Sequence, residues 1–156
     1  MISFLGPDRY DYVAGSSGRS QRLVILYDTQ AARLNAVCET NFPSESLQRS
    51  SVFARQPVFA HFTLMHQGQE MNDLALVNVH LASGQDKNRN HNRAMSLLTR
   101  ELSDARDDER CIPSDEFDVL IGGDFNANRY RGPAEDFWNL TGWRTLSPTN
   151  GANYSA

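Results

Sequence analysis

A succession of short apolar segments, followed by one amphipathic stretch, limits the folds available to this chain of 156 residues. Runs of β-branched and aromatic side chains that end in turn-forming residues predict strands. They lie at residues 10–14, 22–27, 34–38, 58–66, 74–81 and 117–121. Residues 90–105 instead carry apolar side chains at helical spacing, namely Ala94, Leu97, Leu98 and Leu102. Consecutive strands with one helix between the last two predict a mixed α/β fold, layered like a sandwich, and not a doubly wound parallel sheet.

Three further segments complete the predicted order of elements. Residues 41–51 are polar and contain Pro43, which is typical of a loop. Residues 133–140 predict a short helix with Pro133 near its start, and residues 142–146 predict another strand. No internal repeat or linker divides the sequence, so we expect residues 1–156 to belong to a single domain.

The charge balance argues against one class of function. The formal net charge is −4, whereas proteins that coat DNA or RNA without specificity carry a basic surplus that neutralises phosphates. A nuclease remains compatible with this charge, because a bound divalent metal supplies local positive charge. Cys38 and Cys111 match no metal-binding or disulfide-rich spacing, and we expect two ordinary thiols.

The sequence shows neither a membrane-spanning segment nor a signal peptide. No apolar run has the length needed to cross a bilayer, and the first residues lack the basic start and apolar stretch of a signal peptide. A cytoplasmic location is favoured on this pattern, and export stays open if the sequence is part of a longer chain.

The most informative segment for chemistry is residues 122–126, Gly-Gly-Asp-Phe-Asn, at the end of an apolar strand. The glycines let the backbone turn and let a ligand approach, and Asp124 and Asn126 point the same way along an extended chain. A carboxylate and an amide placed there suit a divalent metal, its water or a phosphate oxygen. Taken alone, the segment favours an ordinary turn after a strand, in which Asp and Asn serve turn chemistry.

Two other segments carry polar side chains at the ends of predicted strands. His80 lies near the end of an apolar strand and shares a face with Asn78, so it could donate a proton or bind a phosphate oxygen. Arg55 precedes Pro57 at the start of another strand, where its forked donors could hold a phosphate. Each residue alone is more typical of a structural histidine or a solvated arginine.

The order of these segments resembles the endonuclease/exonuclease/phosphatase superfamily, the group of deoxyribonuclease I, abasic-site endonucleases, neutral sphingomyelinases and inositol-polyphosphate 5-phosphatases. An Arg-x-Pro enters a strand, Val-Asn-Val-His-Leu follows at residues 77–81, and Gly-Asp-Phe-Asn comes after a helix at residues 123–126. The resemblance covers residues 10–142. It implies a deoxyribonuclease I-like β-sandwich of two layers flanked by helices.

The resemblance also implies roles for particular residues. Asp124 matches the aspartate beside the attacking water and the metal, and Asn126 matches the asparagine that orients the phosphate. His80 matches a histidine that protonates or binds the phosphate, and Arg55 matches a substrate-contacting arginine. Asn78 would play a supporting role in phosphate binding. The implied metal is Mg²⁺ or Mn²⁺, held by Asp124 and Asn126, and the implied reaction is hydrolysis of a phosphate ester by an activated water.

Two parts of the family pattern do not occur in this sequence. The family has a glutamate, often in a Gln-Glu pair, before the first segments, and here the early acidic residues are Asp8, Asp11 and Asp28. It also has a late Asp-His pair, and no histidine follows His91. We therefore expect a domain that lacks its N- and C-terminal parts, a segment that is inactive by itself, and a nuclease-like hydrolase when the domain is complete.

Two alternatives stay open at this stage. The first is a noncatalytic binding protein on the same fold with an incomplete site. The second is a phosphatase or a lipid-directed phosphodiesterase of the same family. The loops that would select among nucleic acid and other phosphoester substrates lie at residues 15–21, 41–48, 83–90 and 127–132, the last with Arg129 and Arg131.

Overall fold

The computed structural model describes residues 6, 8–18, 20–40, 53–81, 87–107 and 111–126. Six strands and one helix follow each other along this part of the chain. They are β1 (Tyr10–Ala14), β2 (Val24–Asp28), β3 (Ala32–Glu39), β4 (Val58–His66), β5 (Gln69–His80), α1 (Lys87–Asp107) and β6 (Val119–Asp124). The predicted mixed α/β fold with many consecutive strands is confirmed, and β1 and β4 have the predicted bounds.

The strands form two sheets. β1 and β2 make an antiparallel ribbon, while the second sheet has the order β3-β4-β5-β6. Its first three strands pair antiparallel with one another, and β6 is parallel to β5. α1 connects β5 to β6, because two parallel neighbours cannot be joined by a tight hairpin and need a crossover.

In the four-stranded sheet, the first six residues of the central strand β4 are buried on both faces. Alternate residues of β4 point to opposite faces. Phe59 belongs to a core that includes Leu98 and Leu102 of α1, whereas Ala60 and Phe62 belong to a core that includes Ile25 of the ribbon. The sheet thus lies between the ribbon and the helix. This is the predicted sandwich with a flanking helix.

β5 begins five residues earlier than predicted, because a tight turn pairs its polar first half with β4. Gln67 and Gly68 both have positive φ angles, 50° and 78°, as two-residue hairpin turns require. The pairing runs from His66 opposite Gln69 to Val58 opposite Asn78. The exposed residues at the start of β5 lack the apolar alternation that marks a strand in the sequence, so only the pairing reveals them.

β6 also differs from its predicted bounds. The strand starts at Val119 and ends at Asp124, instead of covering residues 117–121. Phe117 is 74% exposed and lies before the strand, with its ring 5.1 Å from the guanidinium carbon of Arg106. Gly122 and Gly123 continue the pairing with β5 where a turn was predicted.

The prediction of two ordinary thiols was wrong. Cys38 in β3 and Cys111 after α1 form a disulfide with a Cα–Cα distance of 5.9 Å. The two cysteines are 73 residues apart in the sequence, and spacing alone cannot reveal a pair that the sheet and the crossover bring together. The bond ties the α1–β6 connection to the edge of the sheet.

Several predictions fall outside the described residues. They include the loop at 41–51, the helix at 133–140, the strand at 142–146, and both Arg129 and Arg131. Within the described part, α1 extends the predicted helix by a few residues at each end. None of the described helical residues forms a span suited to crossing a membrane.

Candidate functional site

The ends of β5 and β6 bring two of the predicted residues together. In the parallel pairing His80 lies opposite Asp124, and both side chains point to the face of the sheet that carries the ribbon. His80 Nε2 is 3.6 Å from Asp124 Oδ2. The Asp124 side chain is 59% exposed, so a ligand in solution can reach it. The strands therefore place a carboxylate and an imidazole side by side at one edge of the fold.

Gly123 makes this close pairing possible. Its φ is +135°, and a Cβ at this position would lie 2.0 Å from the backbone oxygen of Val79 and 2.9 Å from Asn78 Oδ1. Any side chain would push β6 away from β5, since a Cβ does not approach a backbone oxygen that closely. A Cβ added at Gly122 would instead meet no atom within 4 Å. The first glycine of the pair is thus dispensable for packing, and the second is not.

Arg55 contacts His80 from the segment that precedes β4. Its Nη1 lies 2.7 Å from His80 Nδ1. A guanidinium has no acceptor, so Arg55 donates and His80 Nδ1 accepts. The proton of the neutral imidazole then sits on Nε2, the nitrogen that faces Asp124. Arg55 thereby fixes the tautomer in which His80 can donate a hydrogen bond from Nε2 at the edge of the site.

The other donors of Arg55 bind the loop between β1 and β2. Its Nε donates to the backbone oxygen of Gln21 and its Nη2 to Gln21 Oε1. Gly18 lies against the Arg55 side chain, with a φ of +95°. Arg55 therefore positions both His80 and the loop, and the structure shows it as a link between them.

Glu39 holds the same loop from the other side. Its carboxylate accepts hydrogen bonds from the backbone nitrogens of Ser16 and Ser17, at 2.9 and 3.0 Å, and from the Ser16 hydroxyl. Burial raises the pKa of Glu39, but these hydrogen bonds outweigh burial and hold the pKa below its usual range. Gln56 joins the loop as well, since its backbone nitrogen donates to Ser17 Oγ at 2.9 Å.

Asn126 is fixed next to Asp124 by two hydrogen bonds. Its backbone nitrogen donates to Asp124 Oδ1 at 2.9 Å, and its side-chain Nδ2 donates to the backbone oxygen of Leu81 at 2.6 Å. Asn126 has a φ of 48°, a left-handed conformation that asparagine tolerates better than most residues. The predicted turn chemistry is therefore present, but the backbone at Asn126 is left-handed and not the extended chain on which both side chains were predicted to point the same way.

Asn78 has a different environment from the other predicted residues. Its Nδ2 donates to the backbone oxygen of Val24 at 3.0 Å, which ties β5 to the ribbon. The structure brings together Arg55, His80, Asp124 and Asn126, and it places Asn78 one step away in a packing contact. The role of each residue in phosphate chemistry stays a prediction.

The residues at this edge fit a hard divalent cation. Asp124 offers an exposed carboxylate, and Asn126, held beside it, offers an amide oxygen. Mg²⁺ takes oxygen ligands and usually binds through one or two carboxylates with several waters retained. Asp124 is the only carboxylate that contacts His80 or Arg55 among the residues that the structure describes.

Sequence reasoning missed two residues that support the site, Gln21 and Glu39. Both act through the tertiary structure, because each holds a residue at least 22 positions away along the chain. Gln21 lies at the end of a loop that was identified only by its glycines and serines. Glu39 ends a strand and carries no local signal in the sequence.

Among known proteins, only solved structures are similar to this chain. No family model matches the sequence, and neither does any curated protein. Among solved structures the chain is similar to D. rerio TDP2 humanized by 14 mutations, at 18% identity and a TM-score of 0.55, over 93% of this chain and 53% of that one. It is similar to D. rerio TDP2 complexed with a single-strand DNA product, at 18% identity and a TM-score of 0.56, over 93% and 48%.

A further likeness is to the human Nocturnin catalytic domain with a bound sulfate anion, at 11% identity and a TM-score of 0.57, over 88% of this chain and 48% of that one. The chain spans about half the length of each of these structures. The fold of these structures agrees with the one that the order of motifs implies. The chain therefore has a deoxyribonuclease I-like fold.

Proposed function

We propose that this chain carries part of the active site of a metal-dependent phosphoesterase that cleaves phosphodiester bonds in nucleic acid. One observation supports the proposal above the others. The contacts from Arg55 to His80 and from His80 to Asp124 join a cation, a hydrogen-bond donor and a carboxylate at the open edge of the sheet. These three kinds of group suit phosphoester hydrolysis. A cation stabilises the negative charge of the phosphate, a donor stabilises the leaving oxygen, and a carboxylate orients the attacking water.

Each of the four residues has its own role in the proposed reaction. Asp124 orients the attacking water toward phosphorus and accepts its proton as the new bond from oxygen to phosphorus forms. As the bond from phosphorus to the leaving oxygen breaks, His80 donates a hydrogen bond from Nε2 that stabilises the charge on that oxygen, which then takes its proton from solvent water. Asn126 orients a phosphoryl oxygen, and Arg55 keeps His80 in the required tautomer and adds positive charge. Mg²⁺ or Mn²⁺, held by Asp124 and Asn126, would stabilise the charge that develops on the phosphoryl oxygens.

Nucleic acid is the proposed substrate class. D. rerio TDP2 was solved with a single-strand DNA product, and the human Nocturnin catalytic domain with sulfate, an anion of phosphate-like shape and charge. The second candidate is a noncatalytic binding protein on the same fold. It is favoured by the presence of one carboxylate, Asp124, in contact with His80 among the described residues.

A cleavage assay separates the two candidates. The 156-residue chain and the whole open reading frame that contains it are each incubated with DNA, RNA and phosphomonoesters, with Mg²⁺ or with EDTA. We expect Mg²⁺-dependent phosphodiester cleavage by the reading frame and little by the chain alone, because further metal ligands are proposed to come from outside it. Asp124→Asn should reduce the rate at least about 100-fold.

An exposed carboxylate far from the site provides the matched control. Asp104→Asn, on the outer face of α1, should leave cleavage unchanged. Binding of DNA without cleavage by either protein would favour the binding-protein candidate. Cleavage of phosphomonoesters, with no cleavage of nucleic acid, would replace the proposed substrate class by that of a phosphatase.

A further inference from the structure

A second group of polar side chains lies on the opposite face of the four-stranded sheet. His61 of β4, Asp73 of β5 and Glu116, which precedes β6, bring one nitrogen and two oxygens within 4.8 Å of one another. His61 Nε2 is 3.6 Å from Glu116 Oε2 and 3.9 Å from Asp73 Oδ2. Three segments of the chain therefore converge on one point with atoms that all bind metals.

The buried histidine nitrogen has no hydrogen-bond partner. The His61 side chain is 7% exposed, and its Nε2 is buried and unpaired. The two carboxylate oxygens are too far away for hydrogen bonds. A buried polar atom without a partner costs free energy, so its position in front of two carboxylates calls for a ligand between them.

The spacing of the three atoms suits a small cation. Zinc binds histidine nitrogen and carboxylate oxygen at about 2.0–2.2 Å with tetrahedral geometry, which places ligand atoms about 3.4 Å apart. The observed separations from His61 Nε2, 3.6 and 3.9 Å, exceed that value by a few tenths of an ångström. Glu116 is fixed by its other oxygen, which accepts a hydrogen bond from the Asp118 backbone nitrogen at 2.6 Å.

An acidic pocket gives the cluster access to solvent. Asp73 and Glu116 line a cavity of about 520 Å³. Of the ten described residues that line it, none is basic and five are acidic, namely Glu70, Asp73, Asp115, Glu116 and Asp118. Carboxylates gathered in one cleft attract cations and raise their local concentration. The cavity therefore supplies an entry path with the correct charge.

This cluster is separate from the site at the ends of β5 and β6. Asp73 and His80 lie seven residues apart on the same strand, which corresponds to about 23 Å along an extended chain. Their side chains also point to opposite faces, since Asp73 shares the face of Ala75 and Val77, which pack against α1. The two sites cannot share a ligand.

We propose that His61, Asp73 and Glu116 form a binding site for a divalent transition-metal ion, with zinc as the best match. A histidine ligand in a buried setting disfavours Mg²⁺ and Ca²⁺, which prefer oxygen ligands throughout. Three protein ligands leave a fourth position that opens toward the acidic pocket. The ion would join β4 and β5 to the segment that leads into β6. It would thus stabilise the part of the chain that precedes Asp124 and would take no part in the chemistry at Asp124.

Asn35 supplies the expected support for the histidine. Its side-chain amide lies 3.4 Å from His61 Nδ1 and 2.8 Å from Thr63 Oγ1. Metal binding at Nε2 leaves the His61 proton on Nδ1, which needs an acceptor. The Asn35 amide provides one when it is turned over, which exchanges its oxygen and nitrogen and gives up the 3.4 Å hydrogen bond from Arg33 Nε to Asn35 Oδ1.

The test is zinc binding by the full chain after treatment with EDTA. Competition with a chromogenic chelator measures the affinity and the number of ions, and thermal unfolding measures the stabilisation that ligand binding to the native state must produce. We expect one ion that is lost in His61→Gln and weakened at least about tenfold in Asp73→Asn and in Asn35→Leu. The same ion should remain in His80→Gln, which alters the other site.

His66 at the exposed end of β4 gives a matched control, and His66→Gln should bind zinc like the unmodified chain. Asp73 has a side chain 51% exposed, so Asp73→Asn should keep the fold even if His61→Gln does not. Circular dichroism checks the fold of each variant. The proposal is overturned if the unmodified chain takes up no zinc, or if Asp73→Asn and Asn35→Leu bind it as tightly as the unmodified chain does.

Discussion

His80 and Asp124 lie opposite each other on neighbouring parallel strands, with His80 Nε2 3.6 Å from Asp124 Oδ2. The contact follows from the register of β5 and β6, and Arg55 directs the Nε2 proton of His80 toward it. A hydrogen-bond donor and a carboxylate thus lie side by side at the ends of the two strands.

The role of His80 can be tested through the leaving group of the substrate. If the hydrogen bond from His80 Nε2 stabilises the leaving oxygen, His80→Ala should slow cleavage of an oligonucleotide by about 100-fold. It should slow cleavage of bis(p-nitrophenyl) phosphate far less, because nitrophenolate is a stable leaving group that needs little such stabilisation. The measurement compares kcat/KM for both substrates in the most active form of the protein. Equal losses for the two would instead indicate that His80 binds the phosphate.

Arg55 should act by positioning His80 and the Gln21 loop. A lysine keeps the charge but cannot reach three acceptors with a rigid fork, so Arg55→Lys should lower kcat/KM by about tenfold or more. The control is Arg33→Lys, because Arg33 pairs with Glu70 on the surface away from this site. Proton exchange and chemical shifts of the His80 ring, followed by nuclear magnetic resonance, should change in Arg55→Lys alone. Unchanged ring signals would contradict the positioning role.

The two glycines before Asp124 should respond differently to alanine. Gly123→Ala forces a Cβ to within 2.0 Å of the Val79 backbone oxygen at a φ of +135°, and should lower the free energy of unfolding by about 2 kcal/mol or more. Gly122→Ala meets no atom within 4 Å and should change it by less than about 1 kcal/mol. Urea unfolding followed by fluorescence measures both values. Similar losses in the two variants would mean that β6 does not approach β5 as described.

Glu39 should make stability depend on pH in the acid range. Its pKa in the folded protein lies below the ordinary value of 4.5 because Ser16 and Ser17 donate hydrogen bonds to the carboxylate, which outweigh the opposing effect of burial. The folded state therefore favours the charged form, and the resulting stability is present above pH 4.5 and is lost as the pH falls through the folded pKa.

Glu39→Gln should remove that part of the pH dependence. The free energy of unfolding is measured between about pH 7 and pH 3 for the unmodified chain, Glu39→Gln and the exposed-site control Asp104→Asn. We expect a shallower acid slope in Glu39→Gln only, together with a lower stability at neutral pH. A slope that stays the same in all three proteins would rule out a linkage through Glu39.

The local chemistry of the sequence determined most of the strands, the helix and the shared face of Asn78 and His80. β4 could be delimited because most of its nine residues are apolar, aromatic or β-branched, and α1 because its apolar residues recur at helical spacing. The Gly-Asp-Phe-Asn turn and the histidine at the end of β5 likewise follow from strand periodicity, which acts over a few residues.

Tertiary structure alone decided which of these residues meet. The parallel pairing of β5 and β6 sets His80 beside Asp124, and Arg55 reaches both His80 and a loop 34 residues earlier. The disulfide and the His61 cluster also join segments that are distant in the sequence. Sequence patterns report propensity and burial over short distances, whereas register, crossover and side-chain contacts result from the packing of the whole sheet.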